Sequence, residues 1–69
     1  MFSNLKAEMA RIALTMADLS IDKELNLSYE TIRNKFNGKT EWNNREMFLI
    51  KKKYFPNKSI EYLFEPNDK

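Results

Sequence analysis

The side chains of this sequence that could do chemistry are cations, carboxylates, amides and hydroxyls, because its 69 residues include neither cysteine nor histidine. Without cysteine the chain cannot form a disulfide or present a thiolate nucleophile, and without histidine it lacks the usual general base and zinc ligand. No spacing of acidic residues resembles a calcium loop, and one glycine cannot build a glycine-rich phosphate cradle. These residue types favour binding over catalysis, and we expect no cofactor and no metal ion.

The positive charge of the chain is concentrated in its middle. Residues 33–58 hold eight basic and two acidic side chains, a net charge of +6, whereas residues 1–32 and residues 59–69 each carry −2. This distribution favours a polyanionic partner. A basic segment in a small protein can equally be a solvated face, so charge alone leaves both interpretations open.

The length of the chain allows one small domain, which we expect over residues 1–64 with a loose tail over 65–69. Domains of this size bury only about 60% of the surface exposed by the unfolded chain, so stability must come from helix packing or a second subunit. The longest uncharged stretch near the start, residues 12–17, is too short to cross a bilayer, and the first four residues lack the basic region of a signal peptide. We therefore expect a cytoplasmic protein.

The sequence predicts helices as the elements that must position these side chains. Apolar steps of three and four predict a first helix over about 4–14, with Ser3 or Asn4 as its cap. Its inward stripe consists of Phe2, Leu5, Met9, Ile12 and Met16. Thr15 and Asp18 have the spacing of a capping box, which predicts a second helix over about 16–25. Its inward residues are Ile21 and Leu25.

Asn26 predicts a sharp turn after the second helix, because asparagine tolerates the left-handed conformation that ends helices. Ser28 then caps a third helix over about 29–37, which Gly38 ends. Its inner face consists of Ile32 and Phe36. A fourth helix starts at a cap formed by Asn43-Asn-Arg-Glu46, stops at Pro56, and turns inward Met47, Ile50, Tyr54 and Phe55. A last short turn begins at Ser59 and carries Ile60, Leu63 and Phe64. We predict an all-α fold of about five short helices.

The second and third helices, joined by a tight turn over residues 16–37, have the form of a helix-turn-helix. The stretches Ile21 to Ser28, Thr31-Ile32 and Asn37-Gly38-Lys39-Thr40 resemble the helix-turn-helix of the phage repressor and Cro family. The short chain is similar to the Cro side of that family. It departs at Asp22, where a small residue is usual, at Asn26, where glycine is usual, and at Asp18, near the place of a phosphate-binding glutamine. An unpartnered buried carboxylate is costly, so Asp22 must reach solvent or find a basic or amide partner.

The resemblance implies a lambda-repressor-like DNA-binding domain with its third helix in the major groove of an operator. Residues implied to contact bases are Ser28, Tyr29, Glu30, Arg33 and Asn34. Residues implied to contact phosphates are Lys35, Asn37, Lys39, Thr40 and Arg45. A cation at a helix start is disfavoured by the helix dipole, which gives Arg45 an independent reason to bind an external phosphate.

Several residues near these positions have two interpretations. Arg11 can bind a phosphate or form a structural ion pair, and residues 51–53 point too widely around a helix to reach one duplex together, which favours a role at the helix C-terminus. Trp42 can stack on unpaired bases, although a core position beside Phe36 and Met47 is simpler.

The sequence thus predicts a transcriptional regulator of the phage Cro type, without catalysis, that binds operator DNA as a homodimer in the cytoplasm of a bacterial host. Family analogy places the dimer surface near residues 60–64, which can instead simply close the core. The alternative function is that of a small helical adaptor for another protein, such as an antirepressor, with the helix-turn-helix as scaffold only.

Overall fold

The computed structural model describes residues 2–66, which form five helices and contain no strand. The helices are α1 (Ser3–Arg11), α2 (Met16–Ser20), α3 (Tyr29–Phe36), α4 (Asn44–Tyr54) and α5 (Ile60–Leu63). The predicted all-α fold of five short helices is confirmed. Among the described residues no helix combines the length and apolar content that crossing a membrane requires. The tail predicted over 65–69 lies mostly outside the described residues.

The predicted caps of α2, α3 and α4 are confirmed by hydrogen bonds, and Ser59, where the last turn was predicted to begin, caps α5. Thr15 and Asp18 form a capping box, in which each side chain binds the backbone amide of the other residue at 3.1 and 3.0 Å. Asn43 and Glu46 form a second box at the start of α4. At the starts of α3 and α5, Ser28 and Ser59 each accept the amide three residues on at 3.1 Å.

Helix α1 differs from its prediction at both ends. Its cap is Phe2, which has a left-handed backbone and makes no side-chain capping bond, while Asn4 donates to the carbonyl of Tyr62. The helix ends early because Ala13 is left-handed, with φ of 56°, so the amide of Leu14 turns back to the carbonyl of Met9 at 2.8 Å. This is a Schellman motif in which alanine takes the left-handed position where glycine is usual, so the residue type did not predict the helix end.

Two residues predicted to face inward are exposed. Ile12 follows the early end of α1 and has 51% of its surface exposed, and Ile21 follows the end of α2 with 76% exposed. Helix α2 stops at Ser20, five residues before the predicted end, because the Asp22 carboxylate accepts the amides of Glu24 and Leu25. Aspartate competes with helix formation in this way through local bonds to its own backbone.

The turn between α2 and α3 and the end of α3 follow the predictions. Asn26 is left-handed with φ of 55°, and Gly38 has φ of 84°. Beyond α3 the amide of Lys39 bonds to the carbonyl of Asn34 at 2.9 Å and that of Gly38 to the carbonyl of Lys35 at 3.3 Å, which is a Schellman motif. The loop after α3 therefore leaves the helix in one defined direction.

The helices enclose one apolar core. Its buried members are Leu5, Met9, Leu19, Leu25, Ile32, Phe36, Trp42, Ile50, Phe55, Leu63 and Phe64. Trp42 is 7% exposed, with its ring edge-to-face against Phe36 at 5.4 Å and Phe64 at 5.3 Å between centroids. An enclosed ring of this kind is a core anchor and is not available to stack on a base. Helix α2 packs on α3, and α5 packs on both α1 and α4.

Candidate nucleic-acid interface

Helix α3 presents a polar outer face because its apolar residues anchor the inner one. Ile32 and Phe36, four residues apart, have no exposed surface, so they fix the rotation of the helix about its axis. Tyr29, Glu30 and Arg33 are consequently exposed. Asn34 is half-buried on the same side. The structure thus brings four of the five predicted base-contacting residues together on one face of a rigidly seated helix.

Ser28, the fifth of these residues, is already occupied by the fold. Its hydroxyl oxygen accepts the amide of Thr31 at 3.1 Å, and its hydroxyl group donates to the side-chain oxygen of Thr31 at 2.8 Å. Ser28 remains exposed at the start of the helix, but its cap geometry sets the direction of its hydroxyl. Its first role is to position the outer face of α3.

The loop after α3 carries exposed polar residues beside this face. Asn37, Lys39 and Thr40 are all exposed, and the Schellman motif fixes the backbone that carries them. Arg33 and Lys39 take part in none of the five ion pairs among the described residues. Two unpaired cations therefore lie within a few residues of one another at this end of the helix.

The prediction for Lys35 has to be corrected. Its side chain is only 9% exposed, and its ammonium lies 3.0 Å from a Glu46 oxygen and donates to the carbonyl of Glu41 at 2.9 Å. The same ammonium lies 5.8 Å from the centre of the Trp42 ring. A cation enclosed in this way joins α3 to the start of α4 and cannot reach a phosphate. The available signal in the sequence was the spacing of three residues from the buried Ile32, which places Lys35 towards the inner side of the helix.

Arg45 lies on the surface near the start of α4, as predicted for a phosphate contact. One of its guanidinium nitrogens donates to the backbone carbonyl of Glu24 at 2.7 Å. This bond ties α4 to the segment that precedes the helix-turn-helix turn. The guanidinium has five N–H donors, so further donors of Arg45 stay available to an external anion.

Asp22 has found the partners that a buried carboxylate needs. Its side chain, 4% exposed, accepts the hydroxyl of Tyr54 at 2.5 Å and the ammonium of Lys53 at 3.0 Å, and both donors come from the end of α4. Lys53 also pairs with Glu24 at 2.8 Å. Of the outcomes expected for Asp22, the structure shows the basic partner, Lys53, and adds the Tyr54 hydroxyl, and local spacing in the sequence identified neither of these residues of α4.

This cluster perturbs the pKa values of its members. Burial by itself raises the pKa of Asp22, but the hydrogen bonds from Tyr54, Lys53 and the backbone amides outweigh it and lower the pKa to about 2. Burial and the hydrogen bond to Asp22 raise the pKa of Tyr54 to about 12. Hydrogen bonds to Glu24 and Asp22 raise the pKa of Lys53. All these shifts favour the ionised carboxylate beside a neutral phenol and a charged amine.

The remaining basic residues are divided among separate roles. Lys51 donates to the carbonyl of Pro56 at 2.9 Å beyond the end of α4, and Lys52 lies 6.0 Å from the centre of the Phe48 ring. With Lys53 in the Asp22 cluster, the three lysines point apart as expected. Arg11 lies 3.5 Å from Glu8, the structural ion pair that the sequence offered as one of two roles.

Residues 60–64 mainly close the core. Leu63 and Phe64 are buried, and Tyr62, 37% exposed, donates its hydroxyl to the buried carboxylate of Glu8 at 2.8 Å. That hydrogen bond raises the pKa of Tyr62. Core closure therefore accounts for Leu63 and Phe64, and a dimer contact through the more exposed residues of this segment stays a prediction.

The described residues contain no group of three or more acidic side chains that could hold a metal ion. No protein-family model, curated protein or solved structure matches the chain. The residues and the geometry of α3 and its flanking loop are therefore the features that point to a function.

Proposed function

We propose that this protein is a sequence-specific DNA-binding regulator of transcription, of the phage Cro type, that reads operator half-sites with α3. The observation that carries the proposal is the outer face of α3, where Tyr29, Glu30 and Arg33 are exposed on a helix whose opposite face is fully buried. An α-helix of this kind fits the major groove of duplex DNA. Such a regulator would work in the cytoplasm of a bacterial host cell and would need no catalytic group.

The side chains on this face have the hydrogen-bonding chemistry of base readout. Arg33 offers a fork of donors that matches guanine, Asn34 can pair with adenine through both amide groups, and Glu30 can accept from the amino group of cytosine. Tyr29, with 50% of its surface exposed, can pack on a thymine methyl group. Each good bidentate pair discriminates between bases by about 1–3 kcal/mol.

The phosphate contacts that we propose are those of Asn37, Lys39, Thr40 and Arg45. Lys39 brings an unpaired charge, and the Asn37 and Thr40 side chains bring neutral donors on the same loop. Lys35 is left out of this set because its ammonium forms an ion pair with Glu46. Phosphate contacts of this type fix the register of the protein on the duplex without reading its sequence.

We propose that two copies bind together, with their recognition helices in successive major grooves about 34 Å apart. Analytical ultracentrifugation of the protein with and without a palindromic duplex tests this proposal. A 2:1 complex on the duplex supports the dimer, and a strict monomer under both conditions contradicts it.

Selection of bound duplexes from a random pool tests the proposed base readout. We expect one enriched motif for the native protein, and loss of discrimination at single positions with Arg33→Ala and Asn34→Ala, because each variant removes one pair of base contacts. Lys52→Ala is the matched control, since it removes an exposed cation of α4 outside the proposed interface. If no motif is enriched, or if both variants enrich the native motif, the assigned face is wrong.

One observation favours the adaptor as a second candidate function. Ile21 is 76% exposed and Phe48 is 56% exposed, so both side chains offer apolar surface that a protein partner could cover. The dependence of binding affinity on salt concentration distinguishes the two functions. DNA binding through several phosphates weakens steeply as the salt concentration rises, whereas apolar protein binding does not.

A further inference from the structure

The outward side of α4 combines one exposed aromatic ring with positive charge. Phe48 has 56% of its surface exposed, and the Lys52 ammonium, one helical turn further on, lies 6.0 Å from the centre of its ring. Lys51 and Lys53 belong to the same last turn of the helix. The one carboxylate of α4, that of Glu46, is buried and paired with a lysine of α3. The charges that α4 presents to solvent are therefore all positive.

A hollow of about 280 Å³ adjoins this side of α4, against the segment that precedes the helix-turn-helix turn. Its walls are Glu24, Leu49, Lys52 and Lys53. Leu49, which is half-buried, gives the hollow an apolar wall, and Lys53 holds the carboxylate of Glu24 at 2.8 Å. Glu24 is 66% exposed, so its carboxylate binds lysine here even though water is accessible to it. This internal pair shows the chemistry that the hollow favours, a carboxylate on lysine beside an apolar wall.

Lys52 is the lysine of this surface that the fold leaves free. It takes part in none of the ion pairs among the described residues, whereas Lys53 pairs with both Asp22 and Glu24. Lys51 donates to a backbone carbonyl beyond the end of the helix. An exposed ring beside an unpaired cation suits a partner that brings both apolar surface and an anion.

The sign of these charges distinguishes among the possible occupants. A second copy docked through the same face would place lysine against lysine around the Phe48 rings, and like charges repel. Duplex DNA would bring anions, but its phosphate backbone has little apolar surface to cover the ring. Lys52 also lies about 10 Å along α4 from Arg45, the proposed phosphate contact.

We propose that this face of α4, formed by Phe48, Leu49 and Lys52, binds an acidic segment of a partner protein. An apolar side chain of that segment covers Phe48 and Leu49, and a neighbouring carboxylate pairs with Lys52. The proposal goes beyond the proposed function, because none of these three residues belongs to the proposed DNA interface.

Titration of the ¹⁵N-labelled full chain, free of DNA, with two synthetic peptides tests this proposal. The first is a short amphipathic helix in which a stripe of leucines is flanked by glutamates, and the second carries lysine at every glutamate position. We expect saturable shifts of the amide signals of Phe48, Leu49 and Lys52 with the glutamate peptide and none with the lysine peptide, because the two peptides differ only in the sign of their charge.

Two variants and two controls tie the binding to this face. Phe48→Ala and Lys52→Glu should each weaken binding of the glutamate peptide at least about fivefold, the loss of a contact worth about 1 kcal/mol. Ile12→Ala removes an exposed apolar side chain at the end of α1, and Lys6→Glu reverses an exposed lysine that also lies 6.0 Å from the centre of an aromatic ring. Both controls should bind the peptide as the native chain does.

The proposal is overturned if the glutamate peptide gives no saturable shift, if the lysine peptide binds equally well, or if Phe48→Ala and Lys52→Glu bind as the controls do. Shifts of the same signals with protein concentration alone would assign the face to a second copy instead. Weaker binding of duplex DNA by Phe48→Ala would assign it to DNA. Because the peptide titrations contain no DNA, their outcome does not depend on the proposed function.

Discussion

At the scale of single residues, the lowered pKa of Asp22 predicts how the stability of the protein depends on pH. Its pKa is lowered from 3.8 to about 2 in the folded chain, so the native state holds the carboxylate ionised at pH values where the unfolded chain protonates it. The resulting stabilisation, about 2 kcal/mol, is present above pH 4 and is lost as the pH falls from about 4 towards 2. We expect Asp22→Asn to remove that part of the pH dependence.

Urea unfolding at several pH values between 2 and 6 measures this effect. Glu61→Gln is the matched control, because Glu61 is exposed and forms no ion pair with another described residue. If Asp22→Asn shows the same slope of unfolding free energy against pH as the control, the cluster with Tyr54 and Lys53 is not formed in solution.

Lys35 is a second residue whose effect is on stability. Lys35→Met leaves the buried carboxylate of Glu46 without its cation, and breaking a buried pair from one side typically costs about 3–5 kcal/mol. The double variant Lys35→Met with Glu46→Gln removes both charges and keeps a capping side chain, so most of the loss should be recovered. Urea denaturation measures the free energy of unfolding of the single and of the double variant. Equal stability of the single and double variants would contradict a buried pair.

At the scale of elements, the left-handed residue at the end of α1 predicts that a glycine substitution stabilises the protein. Ala13 is held with φ of 56°, a conformation that costs a residue with a Cβ roughly 1–2 kcal/mol and costs glycine almost nothing. Ala13→Gly should therefore stabilise the protein, by about 1 kcal/mol. Ala10→Gly, in the exposed part of α1, should destabilise it by about the same amount.

Thermal and urea unfolding of these two variants distinguish the effects, since both make the same chemical change three residues apart. Destabilisation by Ala13→Gly would mean that α1 continues past Arg11 in solution, as the apolar spacing predicts.

At the scale of the whole molecule, ion pairing reduces the charge that can act on DNA. Of the eight basic residues in 33–58, Lys35, Lys53 and Lys58 lie within 4 Å of carboxylates. The proposed interface keeps Arg33, Lys39 and Arg45. Arg33 is assigned to a base, so the two cations proposed to contact phosphates, Lys39 and Arg45, predict a slope of log affinity against log salt of about −2 per protomer, whereas phosphate contacts from all eight would give about −7.

Titrations of an operator duplex at several salt concentrations measure this slope. Lys39→Ala should reduce its magnitude by about 1 per protomer, and Lys52→Ala should leave it unchanged. A slope near zero for the native protein would favour the adaptor function.

The sequence by itself determined the features whose cause is local. The capping boxes at Thr15 and Asn43, the left-handed turn at Asn26 and the stop at Gly38 each depend on residues within one helical turn, so their spacing was sufficient to predict them. The inner anchors Ile32 and Phe36 fixed the polar face of α3 for the same reason.

Only the tertiary structure decided which charges remain free and which apolar residues are exposed. Lys35 meets Glu46 across 11 positions and Asp22 meets Tyr54 across 32, distances at which local spacing carries no information. Ile21 fits the helical spacing of apolar residues in the sequence. Its side chain is nevertheless exposed, because the helix ends where the Asp22 carboxylate accepts the backbone amide of Glu24. Long-range ion pairs form only when packing brings helices together, and that packing divides the +6 segment into charges that hold the fold and charges left for a partner.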